Sequence, residues 1–177
     1  ILRPYQFCNL TEVVVRGTDN KLGLKEKIRF ATILGTFQST LTDFKYLRKI
    51  WKDNTEDERL LGVSLTGIMD NRLTSNPDKG LLSELKQVAI DTNKEFAKQL
   101  KINQSTAITC VKPSGTVSQL VDSASGIHTR HSPYYIRTVR CDTKDPLTTF
   151  MIEKGFPHEP DVTNPSAVTV FSFPIKS

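Results

Sequence analysis

The amino-acid sequence predicts an α/β fold with largely parallel strands, and three observations carry that reading. Short apolar or β-branched runs occur at residues 12–15, within 60–70, at 106–111 and at 167–173. Long stretches of helical period separate the first three, and the run at 106–111 ends in a glycine-containing turn that opens another helix. Strands alternating with helices are the pattern of a parallel sheet covered by its crossovers. With 177 residues the chain has room for one domain or part of a larger one, and 37% hydrophobic with 24% charged residues is the composition of a folded, water-soluble chain.

In chain order, residues 1–16 join a stretch containing Pro4 to Glu12, Val13, Val14 and Val15, a run that reads as a short buried strand. Gly17, Asp19 and Asn20 supply turn chemistry. From 22 to 39, Leu24, Ile28, Ala31, Leu34 and Gly35 recur near the helical period with Lys21, Lys25, Lys27 and Arg29 opposite, which predicts an amphipathic helix. Thr42 and Asp43 cap a second helix through Phe44, Leu47, Ile50 and Trp51, and residues 54–59 are polar. Residues 60–70 are apolar and pitted with small side chains that allow close backbone approach. After the turn at Asn76, Pro77 and Asp78, the strongest helical period in the chain lines up Leu81, Leu85, Val88, Thr92, Phe96 and Leu100. Residues 106–111 read as a buried strand, 112–116 as a turn, 117–121 as a helix start and 134–139 as a β-rich run. A helix over 146–153, closed by Lys154 and Gly155, precedes a last strand over 167–173. No repeat or linker divides the chain, so residues 1–177 are expected to form a single partial domain. Ile1 in place of methionine, and an apolar run just before Ser177, make both ends look cut from something longer.

No apolar run approaches the ~18–20 residues of a membrane span, and the N-terminus lacks a signal-peptide pattern. The 24 basic and 19 acidic residues leave a net charge of +5. That excess is spread evenly, which argues against a nucleic-acid polymer as partner and is compatible with small anions. Three cysteines, Cys8, Cys110 and Cys141, match neither a disulfide framework nor a zinc site, so a reducing, cytoplasmic setting is expected.

The most informative local feature is the strand–turn–helix around Pro113, Ser114, Gly115, Thr116 and Val117. Such a turn offers free backbone N–H groups and the positive end of a helix to an anion. Ser114 and Thr116 add hydroxyl donors, Gly115 allows close approach, and Lys112, Arg130, Arg137 and Arg140 make the neighbourhood basic. The same residues also fit an ordinary capped helix. Cys8, close to Glu12, suits thiol redox or radical chemistry but equally an inert buried thiol. Cys110 and Cys141 read as core or near-core. His128 and His131 form a His-x-x-His pair without a further donor, so no metal site is expected.

Four segments together closely resemble one family: residues 7–13 (FCNLTEV), 61–67 (LGVSLTG), 110–118 (CVKPSGTVS) and 125–137 (SGIHTRHSPYYIR). In this order they resemble the adenosylcobalamin-dependent (class II) ribonucleoside-triphosphate reductases of the monomeric type, over essentially the whole chain. The resemblance implies part of a ten-stranded α/β barrel, covering much of its second half-barrel. It implies that the chain begins just after the finger loop whose Asn-Pro-Cys-Gly-Glu motif carries the radical cysteine, so that this cysteine and its Asn and Glu helpers lie outside it. Cys8 then matches the family's redox-active cysteine shortly downstream, whose disulfide partner lies N-terminal to this chain. The rival alignment, Cys8 as radical site with Glu12, conflicts with the single residue that separates those two in the family, since Asn9, Leu10 and Thr11 intervene here. The family's substrate-phosphate loop falls on Pro113, Ser114, Gly115, Thr116 and Val117.

The implied reaction replaces the 2′-hydroxyl of a ribonucleoside triphosphate with hydrogen, supplying deoxyribonucleotides for DNA synthesis. The implied cofactor is adenosylcobalamin with its cobalt. The implied partners are thioredoxin or a similar dithiol and, in the whole enzyme, allosteric deoxynucleotide effectors; the cobalamin contacts fall on no identifiable residues here. Two other readings stay open: a non-redox phosphate- or nucleotide-binding α/β module, and a diphosphate reductase of the di-iron class. The first separates from the reductase on Cys8, which in the reductase reading faces the same cavity as the phosphate turn.

Overall fold

The structure is a computed structural model that describes every residue except Ile1, Asp78, Pro113 and Ser177. Where the sequence shows no division, the chain packs as two compact units, residues 1–129 and 130–177.

In the first unit, β1 (Asn9–Val14) runs parallel to β2 (Leu61–Thr66), in register from Asn9 opposite Leu61 to Val14 opposite Thr66. Parallel neighbours need a crossover, here α1 (Lys21–Gln38) and α2 (Lys49–Glu58). The Asn20 side chain caps α1 by accepting from the Gly23 N–H. After β2 come a 3₁₀ turn at Ile68–Asp70, the single-turn α3 (Arg72–Ser75), and α4 (Lys79–Leu100), which packs along α1. Val13, Val15, Leu24, Ile28, Ala31, Leu61, Val63, Leu81, Leu85, Ala89 and Ile108 form the core between the helices and one face of the sheet. Buried Asn93 ties this layer together, donating to Thr36 Oγ1 and Ser105 Oγ, each at 3.0 Å, and accepting from the Ser105 N–H.

Two expectations change here. Residues 106–111 lie along the second edge of β2, joined by one parallel bridge, Val63 with Thr109, and by Cys110 N–H donating to Val63 O at 3.1 Å. The segment is an edge, exposed at Thr109, Cys110 and Val111, rather than a buried strand. The second helix starts at Lys49, not at Thr42, and takes in the polar stretch 54–58. Phe44 and Trp51, which read as one helical face, are instead drawn into aromatic contact with Phe7 at centroid distances of 5.1 and 4.6 Å.

The second unit is antiparallel throughout, against the expectation of largely parallel strands. β5 (Val168–Lys176) lies between β3 (Tyr134–Asp142) and β4 (His158–Pro160). The short β4 has no sequence signature, and only its pairing with β5 makes it a strand. α6 (Pro146–Glu153) begins at its expected residue because the Asp145 side chain accepts from the Leu147 N–H at 2.7 Å and Pro146 needs no donor partner in the first turn. The tight turn from β4 into β5 is held by Asp161, whose carboxylate accepts from Thr163 N–H, Thr163 Oγ1, Asn164 N–H and Arg140 Nε. A turn this short reverses the chain, which is why these strands pair antiparallel.

Candidate functional site

Alternation along the strands divides the first unit's sheet into two faces. Thr11, Val13, Leu61 and Val63 turn toward α1 and α4, as the packing of Gly35 against Thr11 and Leu61 shows. Cys8, Leu10 and Glu12 on or beside β1, Gly62 and Ser64 on β2, and Cys110 and Lys112 on the third segment share the opposite face.

Gly62 is the pivot of that face. A Cβ built on it would stand 2.4 Å from Leu10 Cδ2 and 3.0 Å from both Cys110 Sγ and Cys8 Sγ. The two sulfurs therefore converge on one point from opposite sides of β2, and no residue larger than glycine fits between them. A glycine inside a strand marks such a close approach. It was the one sequence signal that could have drawn Cys110 out of the core and into the site.

Cys8 owes its position to the segment before it. Phe7 packs on Phe44 and Trp51, Tyr5 meets Trp51 edge-on at 5.7 Å, and the Arg48 guanidinium lies 4.6 Å from the centre of the Tyr5 ring. Asn54 Nδ2 donates to Tyr5 O at 3.1 Å, and Gln6 Nε2 donates to Glu58. This clamp escaped sequence reasoning because its parts come from residues 5–7 and 44–58. Burial, and next the neighbouring Cys110, push the Cys8 thiol above its ordinary pKa. Cys110 is also raised, by burial first, with Lys112 pulling the other way. At neutral pH both sulfurs carry their protons.

Toward the carboxyl ends of the strands, Glu12 and Lys112 pair at 3.3 Å, and the Lys112 N–H donates to Ser64 Oγ at 3.1 Å. Glu12 has a side chain only 8% exposed, and its Oε1 is buried without a hydrogen-bond partner among the described residues. The chain then enters the predicted anion turn. Pro113 lies outside the described residues. Ser114 is buried, with its carbonyl accepting from Ser125 Oγ and its own hydroxyl unpartnered among the described residues. Gly115 precedes α5 (Thr116–Leu120), and a Cβ on it would meet nothing within 4 Å, so the space in front of it is open. Thr116 and Val117 are exposed on the first turn of α5, whose leading N–H groups have no partner inside the helix. The loop behind is fastened to the end of β2, where Thr66 Oγ1 donates to Ala124 O and accepts from Gly126 N–H.

Cys8 and the anion turn thus belong to one sheet face, with Cys8 at the amino end and the turn beyond the carboxyl end. The separation from Cys8 to Glu12 along β1 is about 13 Å at ~3.3 Å per residue. A cavity of about 520 Å³, lined mostly by apolar side chains such as Ile28, Leu65, Leu82, Leu85 and Val111, also takes in Ser64, Lys86 and Cys110, but neither Cys8 nor residues 114–117. Among the described residues, no three His, Cys, Asp or Glu side chains are grouped to hold an ion. Cys141 lies on β3 in the second unit. No helix of the described residues is long and apolar enough to cross a membrane.

No family model matches the chain. It is 31% identical over 202 aligned residues to the adenosylcobalamin-dependent ribonucleoside-triphosphate reductase of Lactobacillus gasseri, an alignment covering 96% of this chain and 26% of that protein. The enzyme of the same name from Euglena gracilis is 28% identical over 85% of this chain. A crystal structure of a B12-dependent (class II) ribonucleotide reductase superimposes with a TM-score of 0.76 at 25% identity, covering 99% of this chain and 28% of that one. The resemblance read from four segments therefore extends along almost the whole chain, and the fold is that of part of a class II reductase. The chain spans about a quarter of the length of the relatives it matches.

Proposed function

We propose that this chain is part of an adenosylcobalamin-dependent ribonucleoside-triphosphate reductase, in which it carries the substrate-phosphate turn and one thiol of the reducing pair. The observation that carries the reading is a single one: Cys8 and the turn of Ser114, Gly115, Thr116 and Val117 share one face of a parallel sheet. A non-redox binding module needs the turn but has no use for a clamped thiol on the same face, so this arrangement favours the reductase. No observation favours the di-iron, diphosphate alternative.

The triphosphate tail rests on the N–H groups of Gly115, Thr116 and Val117, where the first turn of α5 favours negative charge. The sugar then extends along the face toward Cys8. Reduction replaces the 2′-hydroxyl with hydrogen and releases it as water. The two electrons and two protons come from Cys8 and a second cysteine outside this chain, which end as a disulfide. A thiol that keeps its proton at neutral pH suits this step, and burial keeps Cys8 in that form. Thioredoxin or a related dithiol reopens the disulfide by exchange, and deoxynucleotide effectors act elsewhere on the whole enzyme.

Adenosylcobalamin would supply the radical that starts the reaction; its contacts are not assigned to residues of this chain, and no step above passes through it. In the assembled enzyme, Cys8→Ser should abolish multiple turnover with a dithiol reductant while nucleotide binding, measured by equilibrium dialysis, is unchanged. Undiminished turnover would refute the role given to Cys8.

A further inference from the structure

We infer that Cys8 and Cys110 work as one dithiol: Cys110 attacks a disulfide formed at Cys8, and the resulting Cys8–Cys110 bond is opened by an outside dithiol. Three observations carry this. Both sulfurs stand 3.0 Å from the point that a Gly62 Cβ would occupy, so they are no farther apart than twice that distance, and glycine alone leaves the gap clear. Cys8 precedes Asn9, the first residue of β1, and Cys110 follows the bridge between Val63 and Thr109, held to β2 by its own N–H on Val63 O. The two differ in access, Cys8 being half-buried and Cys110 exposed.

The geometry also sets the character of the bond. Residues that flank a central strand are about two strand spacings apart at Cα, near 10 Å, which exceeds the separation a relaxed disulfide accepts. Closing the pair must draw the ends of both segments inward. A bond made that way is strained and readily reduced, which suits an exchange intermediate and not a structural cross-link.

The chemistry balances without an added oxidant. The Cys110 thiolate attacks the Cys8 sulfur of a Cys8–S–S–R disulfide; the Cys8–Cys110 bond forms, the bond to R breaks, and R leaves as a thiolate that takes a proton from water. An external dithiol then attacks the exposed Cys110 sulfur and leaves as its own disulfide, returning two thiols. Lys112 lies two residues beyond Cys110 and favours its thiolate, against burial and the Glu12 carboxylate. That Cys110 serves catalytic turnover rests on the reductase reading; the pairing itself does not.

The test uses the full chain carrying Cys141→Ser and limiting dithiobis(nitrobenzoate), with no nucleotide present. Paired thiols release two thionitrobenzoate ions per reagent molecule, and the chain loses about 2 Da with no aromatic adduct retained. Adding Cys110→Ser or Cys8→Ser should halve the release and leave a stable adduct on the remaining thiol. Gly62→Ala, verified as folded by circular dichroism, keeps both thiols but wedges them apart, and should slow closure by about tenfold or more. A stable adduct on the two-thiol chain, or closure in Gly62→Ala as fast as with Gly62 in place, overturns the inference. Either result leaves the reductase reading standing, because that reading is tested by nucleotide turnover at Cys8.

Discussion

Two buried carboxylates, one in each unit, are treated in opposite ways. Asp161, 6% exposed, accepts from four donors, and the hydrogen bonds of the Thr163 hydroxyl and Arg140 hold its carboxyl well below the usual range. Glu12, 8% exposed, has Lys112 on one oxygen and no hydrogen-bond partner for the other among the described residues. A buried polar atom left without a partner costs stability, so it persists where something other than stability maintains it. The second unit spends its polar groups on holding a turn. Among the described residues, the first leaves Glu12 Oε1 and Ser114 Oγ unsatisfied on or next to the face that carries Cys8, besides Thr11 Oγ1, Arg59 Nε and Ser123 Oγ elsewhere in the unit.

The largest effect that would sharpen this contrast is in the second unit's core. Phe171, 1% exposed, anchors the central strand, and Phe171→Ala should cost about 3–5 kcal/mol in urea denaturation. Asp161→Ala should follow, with a clear fall in melting temperature, because it strands the N–H groups of Thr163 and Asn164. Glu12→Gln should cost less than Asp161→Ala, since the amide oxygen can still accept from Lys112 and the ammonium, 19% exposed, can reach water. If Glu12→Gln proved as damaging as Asp161→Ala, the contrast would be wrong.

Smaller effects are read through pH. Only the thiolate reacts with iodoacetamide, and the Cys8 pKa is raised, so alkylation of Cys8 should still be climbing where a free cysteine, at about 8.5, is half-ionised. Cys110→Ser removes the second cause of that shift and should modestly speed alkylation at pH 8. Smallest of all is Glu84, held down to about 2 by Lys21 and Lys25 across the α1–α4 contact. Its pKa is depressed, so its contribution is present above about 4.3 and is lost as pH falls toward 2. Glu84→Gln should lower the melting temperature slightly at neutral pH and low salt, and not at all in strong acid or high salt.

Much of the fold was legible. α6 runs over 146–153 as expected, closed by Lys154, and α1 and α4 fall within a residue or two of their apolar periods, because caps and periodicity are properties of neighbouring residues. Cys8 and the turn after Lys112 were also visible as candidates. Trp51 and Phe44 misled because an aromatic at helical spacing looks the same whether it faces a core or grips Phe7. Cys110 misled because Thr106 to Val111 is β-branched and apolar on a segment that turned out to lie at an open edge.

By itself, then, the order of residues determined where α1, α4 and α6 run, which residues alternate across each strand, and that a glycine-containing turn after Lys112 opens a helix. All of these depend on groups within a few positions of one another. The tertiary structure alone decided that the third segment lies beside β2, that β5 separates β3 from β4, and that sulfurs 102 residues apart in sequence converge over Gly62. Strand order is set by which apolar faces bury together when the chain closes. No local pattern carries that information.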